Sequence, residues 1–473
     1  MRKLLLGTAA VALGMTFAAD QANAQVKLGL SGHTKLYTSW LDQDTASDDL
    51  DTVAAVPATA ATVETESERS FDILRETEIH FTGETTLDNG LTVGAHMEVN
   101  LDGADSSDGV AGVNTEEAYA YFSGAWGRVN LGMEEGATFL LQVAAPSADS
   151  NFDGIRQFVD PVNAGILAAP ATSGASTIDN VSLDDLFTGG SAAALNGMVV
   201  NTVIVDADGT DTATAGDIRM GVNGVGLTAG SRFDYDHSMT AWSDKITYMT
   251  PVFNGFQAGF SYTPEITGPN DLANNDDDGA IPAAATAITR QYGDVWDVAA
   301  RYEGMIGDLG IALGAGYSHA ELEYDNDIPV FYNDVDGVAG FTAGTDTVVA
   351  TFDDRESWNV GVDFDWKAFG LGAAYLEDDN GVSGDHFETE TWVVGADYTT
   401  GPFKIGASYL NNNQNVASAD IDVERWTGGV VYTYGPGMTF RGSVSFIDHE
   451  ESVGYAGSSA DATSVLLGTQ INF

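Results

Sequence analysis

The chain has no cysteine in its 473 residues, so any exported form must hold together without disulfides. Basic residues are scarce: 18 Lys+Arg stand against 70 Asp+Glu, a formal charge of −52. So acidic a surface repels polyanions, which excludes nucleic acid as a partner. Past the N-terminal stretch no run of about 20 apolar residues occurs, the length that a membrane-crossing helix needs. Catalytic signatures are missing as well, with no nucleophile motif, Walker loop or dinucleotide fingerprint in a strand-to-helix setting. The seven histidines, His33, His80, His96, His237, His319, His386 and His449, show no ligand spacing such as two on one helical turn. The expectation is a protein that is not an enzyme, with no cofactor and no dedicated metal site.

What is present points to a large β structure. The composition is 44% hydrophobic and 10% aromatic with 55 glycines, so the chain can fold despite its charge. Glycine relieves crowding inside a barrel and aromatics sit at barrel rims. At the N-terminus, Arg2 and Lys3 precede a largely apolar stretch over 4–17, and Ala22-Asn23-Ala24 supplies a small-x-small pattern before Gln25. This reads as a signal peptide over residues 1–24. Its removal takes away Arg2, Lys3 and Asp20, leaving 16 basic and 69 acidic residues and a charge of −53.

The C-terminal stretch organises the rest. Val465, Leu467, Thr469, Ile471 and Phe473 fall on one face, and Ser464, Leu466, Gly468, Gln470 and Asn472 on the other, the alternation of a half-buried strand. A chain end frays in water unless something ties it down, and pairing of last strand with first in a closed sheet would do so. The ending resembles the C-terminal strand of Gram-negative outer-membrane barrels. The same alternation places Val26, Leu28, Leu30, Leu36 and Trp40 opposite Lys27, Ser31, His33, Lys35 and Tyr37. In the next runs Ile73, Ile79 and Phe81 oppose Glu76, Glu78, His80, Thr82 and Glu84, then Leu91, Val93, Ala95, Met97, Val99 and Leu101 oppose His96, Glu98, Asn100 and Asp102.

Tight turns are expected at Asp88-Asn89-Gly90, where Asn and Gly accept the positive φ of a two-residue turn, and at 124–127, Asn254-Gly255, Gly307-Asp308, Phe369-Gly370, Thr400-Gly401 and Gly435-Pro436. Longer acidic or Gly/Ser/Asn-rich connections fall at 265–289, 325–354, 379–385, 411–422 and 448–461. Short turns on one side and long loops on the other are the asymmetry of an outer-membrane barrel. About sixteen strands are expected, a size that leaves an aqueous lumen, and an even count returns both termini to one side.

The export signal, the first strand over 26–40, the seven short turns, the terminal Phe473 and one long internal loop together resemble the general porin family of Gram-negative bacteria. The resemblance covers the mature chain and rests on architecture more than on one motif. It implies an all-β transmembrane antiparallel barrel of about 16 strands in the outer membrane, in contact with its lipid and lipopolysaccharide, assembled as a homotrimer. It also implies a third loop folded into the lumen, forming a constriction with charged wall residues. Arg128-Val129-Asn130-Leu131-Gly132-Met133-Glu134-Glu135-Gly136 looks like the fifth strand entering that loop. The segment that follows, 136–241, is about twice the expected length, room for an extra hairpin around 199–205 or 217–233.

The chemistry expected is permeation of small hydrophilic solutes and ions, sorted by charged rings and by width. Wall candidates are Lys35, His80, His96, Glu98 and Arg128, and loop candidates are Glu134, Glu135, Asp149, Asp153 and Arg156. Their balance predicts cation preference. Tyr119 and Tyr121 are candidates to line the pore or support the loop. Asn274-Asn275-Asp276-Asp277-Asp278-Gly279 resembles the start of a calcium loop, but Ala285 stands where a bidentate Glu is required. Asp206-Ala207-Asp208-Gly209 and Asp334-Val335-Asp336-Gly337 share that defect, so only weak surface binding of divalent cations is expected. Two other readings stay open: a barrel plugged by 136–241 that serves adhesion or envelope structure, and a soluble secreted acidic β-protein.

Overall fold

A chain that alternates apolar and polar residues every second position, segment after segment, can satisfy both faces only by pairing strands into a sheet with one greasy and one wet side. The computed structural model describes residues 26–43, 70–101, 114–148, 202–204, 218–220, 235–266, 290–325, 330–333, 347–350, 353–381, 388–416, 419–451 and 460–473. The segment expected to be a signal peptide lies outside them.

The first five strands are β1 (Lys27–Gln43), β2 (Phe71–Thr86), β3 (Thr92–Asn100), β4 (Asn114–Gly124) and β5 (Gly127–Glu134). A single helical turn, α1 (Ala137–Leu140), and a short hairpin, β6 (Thr202–Ile204) with β7 (Ile218–Met220), follow. Next come β8 (Ser243–Met249), β9 (Phe256–Glu265), β10 (Arg290–Ile306) and β11 (Leu309–Asp325). A second short hairpin, β12 (Val330–Asn333) with β13 (Thr347–Ala350), interrupts the connection. The last seven are β14 (Arg355–Trp366), β15 (Phe369–Asp378), β16 (Thr389–Thr400), β17 (Phe403–Val416), β18 (Ala419–Gly435), β19 (Met438–Glu451) and β20 (Ala460–Asn472).

All strands except the two short hairpins close into one antiparallel barrel in the order β1-β2-β3-β4-β5-β8-β9-β10-β11-β14-β15-β16-β17-β18-β19-β20, sixteen in all. Closure is made by β20 on β1, with Lys35 opposite Gln470 and Trp40 opposite Val465. The terminal residue completes the ladder: the Gly32 N–H donates to the Phe473 carbonyl at 2.9 Å, and the Phe473 N–H to Gly32 at 3.0 Å. A Cβ on Gly32 would lie 2.2 Å from the Glu78 carbonyl oxygen on β2 and 3.1 Å from the Phe473 ring, so this position requires glycine.

The outer face is apolar and exposed. Leu28, Leu30, Ile73, Val298, Leu371, Val394 and Ile405 all project from it. Aromatic pairs mark both rims of this band. Near the short turns Trp366 stacks on Phe369, Phe369 meets Tyr398, and Phe403 meets Tyr432. Higher up lie the Tyr262–Trp296, Trp358–Tyr375, Tyr375–Trp392 and Tyr409–Trp426 pairs. Trp358 and Trp366 both point outward from β14. Their separation along the strand is roughly 27 Å, or about 21 Å across a barrel tilted by ~40°.

Several turns differ in detail from the sequence reading. Asn254-Gly255 is a two-residue turn with both φ positive, 51° and 87°, bracketed by paired Phe253 and Phe256. The turn at Asp88-Asn89-Gly90 is instead a three-residue loop: only Gly90 is left-handed, and the Asn89 side chain accepts the Leu91 N–H at 3.0 Å. The turn expected at Phe369-Gly370 sits at 367–368, since Trp366 pairs with Phe369 and Lys367 takes φ 59°. Those expected at Thr400-Gly401 and Gly435-Pro436 sit one residue later, where Gly401 and Gly437 have positive φ. The long loop expected at 411–422 is strand: β17 and β18 stay paired to Val416 opposite Ala419. The two alternatives for an extra hairpin in 136–241 are its two halves, since Thr202 pairs with Met220.

Candidate permeation pathway

Alternation along β1 to β4 turns one set of side chains inward, and antiparallel register then decides which of them touch. His33 stands opposite Glu78, His80 opposite Glu98, and His96 opposite Tyr119. The result is a continuous sheet of imidazoles and carboxylates. His33 Nε2 meets Glu76 Oε2 at 2.6 Å, and Lys35 Nζ meets the same oxygen at 3.4 Å. His80 lies between Glu98 (Nδ1 to Oε2, 3.0 Å) and Glu78 (Nε2 to Oε2, 3.4 Å). His96 Nε2 is 3.8 Å from Glu98 and 3.6 Å from Glu117. A β-bulge between Glu98 and Val99 lets Glu117 pair with Glu98, while the adjacent Glu116 accepts from Asn100 Nδ2 at 3.0 Å; two consecutive residues can crowd one partner only at such a bulge.

Below this cluster, Arg128 lies 4.1 Å from the centre of the Tyr121 ring and donates to Asn130 Oδ1 at 2.6 Å. Tyr121 in turn donates to Glu84 at 3.0 Å. The two tyrosines therefore line the wall beside Arg128.

The segment after β5 takes the opposite side of the lumen. Counting around the barrel order, β1 to β4 face β11 to β16, and residues 137–148 lie along β8 to β17. Ala137, Leu141, Val143, Ala145 and Ala148 are buried there. The wall makes room with inward glycines. A Cβ on Gly361 would stand 2.1 Å from the Val143 carbonyl oxygen, one on Gly395 2.1 Å from that of Pro146, and one on Gly372 2.8 Å from the Pro146 ring.

The far end of the same insertion returns to pin it. Gln142 donates to the Tyr235 carbonyl at 2.6 Å and accepts the His237 N–H at 3.0 Å, while Tyr235 Oη accepts the Ala145 N–H at 2.6 Å. Asn359 Nδ2 donates to His237 Nδ1 at 2.7 Å, so Nε2 carries the proton and donates to Ser318 Oγ at 2.9 Å. Ser318 passes its own proton toward Asp297 Oδ1 at 2.5 Å, and Thr240 Oγ1 donates to Asp297 Oδ2 at 3.1 Å. Burial holds the His237 imidazole at a pKa of about 4, well below its ordinary 6.5, because desolvation disfavours the imidazolium. Lys245 donates to the carbonyls of Glu134, Thr240 and Ser243, tying the exit of the insertion to its entrance.

Comparison with known proteins agrees with this architecture. A family model described as Gram-negative porin matches residues 7–386 and 330–470. The chain belongs to the Gram-negative porin family. Such a protein is an outer-membrane channel for small solutes, not an enzyme. Among solved structures, an anion-selective porin from Comamonas acidovorans is 15% identical, with 95% of this chain and 100% of that one covered and a TM-score of 0.48. A mutant porin of Rh. blastica is 15% identical over 94% of this chain and 100% of its own, with a TM-score of 0.43. A loop-deletion mutant of OmpT, an outer membrane protein of Vibrio cholerae, is 11% identical over 95% and 99%, at 0.48. No curated protein matches the chain.

Within this porin the sequence candidates separate. Lys35, His80, His96, Glu98 and Arg128 share one inner wall. Glu134 ends β5 and Glu135 follows it; both are buried, with Asn130 Nδ2 donating to Glu134 at 2.6 Å. Asp149, Asp153 and Arg156 lie outside the described residues, as do the three Asp/Asn-rich fragments, His386 and the side chain of His449. Sequence reasoning left His33, Glu76, Glu78, Glu116 and Glu117 out of the site, although His33, Glu76 and Glu78 stood on its polar faces. It also passed over Arg425 and Arg441 on the inward faces of β18 and β19, and the buried Asp297. Continuing the same alternation along every strand finds the arginines; nothing local signals the bulge or Asp297.

Proposed function

We propose that this porin passes small hydrophilic solutes and ions by passive diffusion, prefers cations, and works as a homotrimer. The observation that carries the cation preference is the wall of β1 to β4, where Glu76, Glu78, Glu98, Glu116 and Glu117 gather around Lys35 and three histidines. Carboxylates on a low-dielectric wall focus a negative potential into the lumen and concentrate cations there. Arg128 opposes that field. A trimer is supported by membership of a porin family whose members are typically trimeric.

The test is the reversal potential of the refolded protein in a planar bilayer under a KCl gradient, with its mass in detergent measured in parallel. Discrete steps with cation preference and a mass of three chains are expected. Steps with anion preference would overturn the selectivity, and a folded barrel without current would support a plugged, structural role instead.

A further inference from the structure

Three histidines that are far apart in sequence meet on one patch of wall. His33 and His80 have ring centres 6.3 Å apart, and His80 and His96 5.6 Å. Between them lie carboxylates in bridging positions. The donor atoms of His80, His96 and Glu98 fall within 4.8 Å of one another, and so do those of His33, Glu78 and His80.

These spacings are those of a coordination sphere. An ion bound at about 2.0–2.1 Å by imidazole and carboxylate in tetrahedral geometry separates neighbouring donors by roughly 3.4 Å. Glu98 Oε2 is 3.0 Å from His80 Nδ1 and 3.8 Å from His96 Nε2, each within a few tenths of an ångström of that separation, and the donor atoms of the two histidines lie within 4.8 Å of each other. His96 is already oriented for the role, because its other nitrogen, Nδ1, lies 3.1 Å from Thr82 Oγ1. A metal-bound imidazole is characteristically held by such an oxygen partner on its second nitrogen. The second set, with Glu78 Oε2 at 3.5 Å from His33 Nδ1 and 3.4 Å from His80 Nε2, reaches the opposite nitrogen of the same His80.

We propose that His80, His96 and Glu98 bind a divalent transition-metal cation of the Zn2+ class on the channel wall, with His33 and Glu78 forming an adjoining station that shares His80. Imidazole favours zinc, nickel and copper over magnesium and calcium, which take oxygen ligands. The use of this site in permeation rests on the channel reading above; the site itself does not.

The experiment pairs calorimetric ZnCl2 titration of the folded barrel in detergent with single-channel recording in KCl before and after adding ZnCl2. Zn2+ is expected to bind at one ion per chain and to reduce the K+ current, while MgCl2 at the same concentration neither competes nor blocks. His80→Asn and Glu98→Gln should each weaken Zn2+ binding by about tenfold or more, with heat-modifiable gel mobility confirming that each variant is a closed barrel. His319→Asn should bind as the parent does. His319 also lies near two carboxylates, 3.9 Å from Asp354 and 3.6 Å from Glu356, but belongs to none of the metal-competent sets among the described residues.

Absence of Zn2+ binding, equal competition by Mg2+, or unchanged affinity in both His80→Asn and Glu98→Gln would overturn the site. The channel reading fails separately. A barrel with no KCl current that still binds Zn2+ through His80 would sink permeation and leave the metal site standing.

Discussion

On β1 to β3 the inward positions hold Lys35, Glu76, Glu78, His80, His96 and Glu98; on β14 to β17 the central inward positions hold Gly361, Gly372, Gly395 and Gly406. The first sector keeps ionisable side chains at the edge of water. The second has given up its side chains so that residues 141–148 can lie against the backbone, with Val143 over Gly361 and Pro146 over Gly395. One barrel wall thus does two kinds of work. Charge placement sets what the lumen attracts, while missing volume sets how far the insertion stands from the opposite side. A channel can tune selectivity and width separately when they reside on different strands.

The most severe way to break the contrast is to detach the seated sector with acid. His237 is neutral when docked and has a pKa of about 4 there, against 6.5 when free. Above the free value no proton distinguishes the two states. As pH falls from there toward 4, the released segment binds a proton that the docked one excludes, and docking loses up to roughly 3 kcal/mol. Limited proteolysis within the insertion should rise between about pH 7 and pH 4, and His237→Asn should flatten that dependence. Equal protection at both ends of the range would mean that the imidazole does not latch the insertion.

A smaller effect, still on the seated side, is expected from Gly395→Val. Its Cβ would lie 2.1 Å from the Pro146 carbonyl oxygen, so the insertion must lift or the wall must bend, at a cost of about 1–3 kcal/mol. Conductance should change and its steps should broaden. A variant with parental conductance and denaturation midpoint would show that the glycine is not needed for seating.

The charged sector sharpens the contrast at the lowest energetic scale. Glu78→Gln with Glu98→Gln removes two wall charges and should reduce the cation-to-anion permeability ratio by about twofold to fivefold, as expected for charges acting through a hydrated lumen. Conductance at high salt and barrel stability should change little. If the ratio is unmoved, selectivity lies elsewhere, with Arg425, Arg441 and the insertion as the remaining contributors.

The elements that the sequence announced are those encoded by neighbours in the chain. Alternation at Val26-Lys27-Leu28, the Asn254-Gly255 turn and the terminal Phe473 each specify a local geometry, and the strands, the faces and the closure on β1 follow from them. Even the errors are local: the turns near 369, 400 and 435 were displaced by one or two residues because the left-handed position at Lys367, Gly401 or Gly437 is decided by which residues pair across the hairpin. At 411–422 the run of Asn and Asp has loop composition, yet cross-strand pairing with a ready-made partner keeps it in the sheet.

By itself, then, the sequence determined that this chain is a sixteen-strand barrel with a greasy exterior and an acidic, polar interior, because a period of two needs no knowledge of distant residues. Only the tertiary structure decided that His33, His80 and His96 are neighbours, that Glu116 and Glu117 crowd one partner, and that Val143 and Pro146 rest on glycines far along the chain. Each of these depends on the register between strands and on a chain segment finding its seat across the lumen. Register and docking are set by the closure of the whole barrel, and no window of residues contains them.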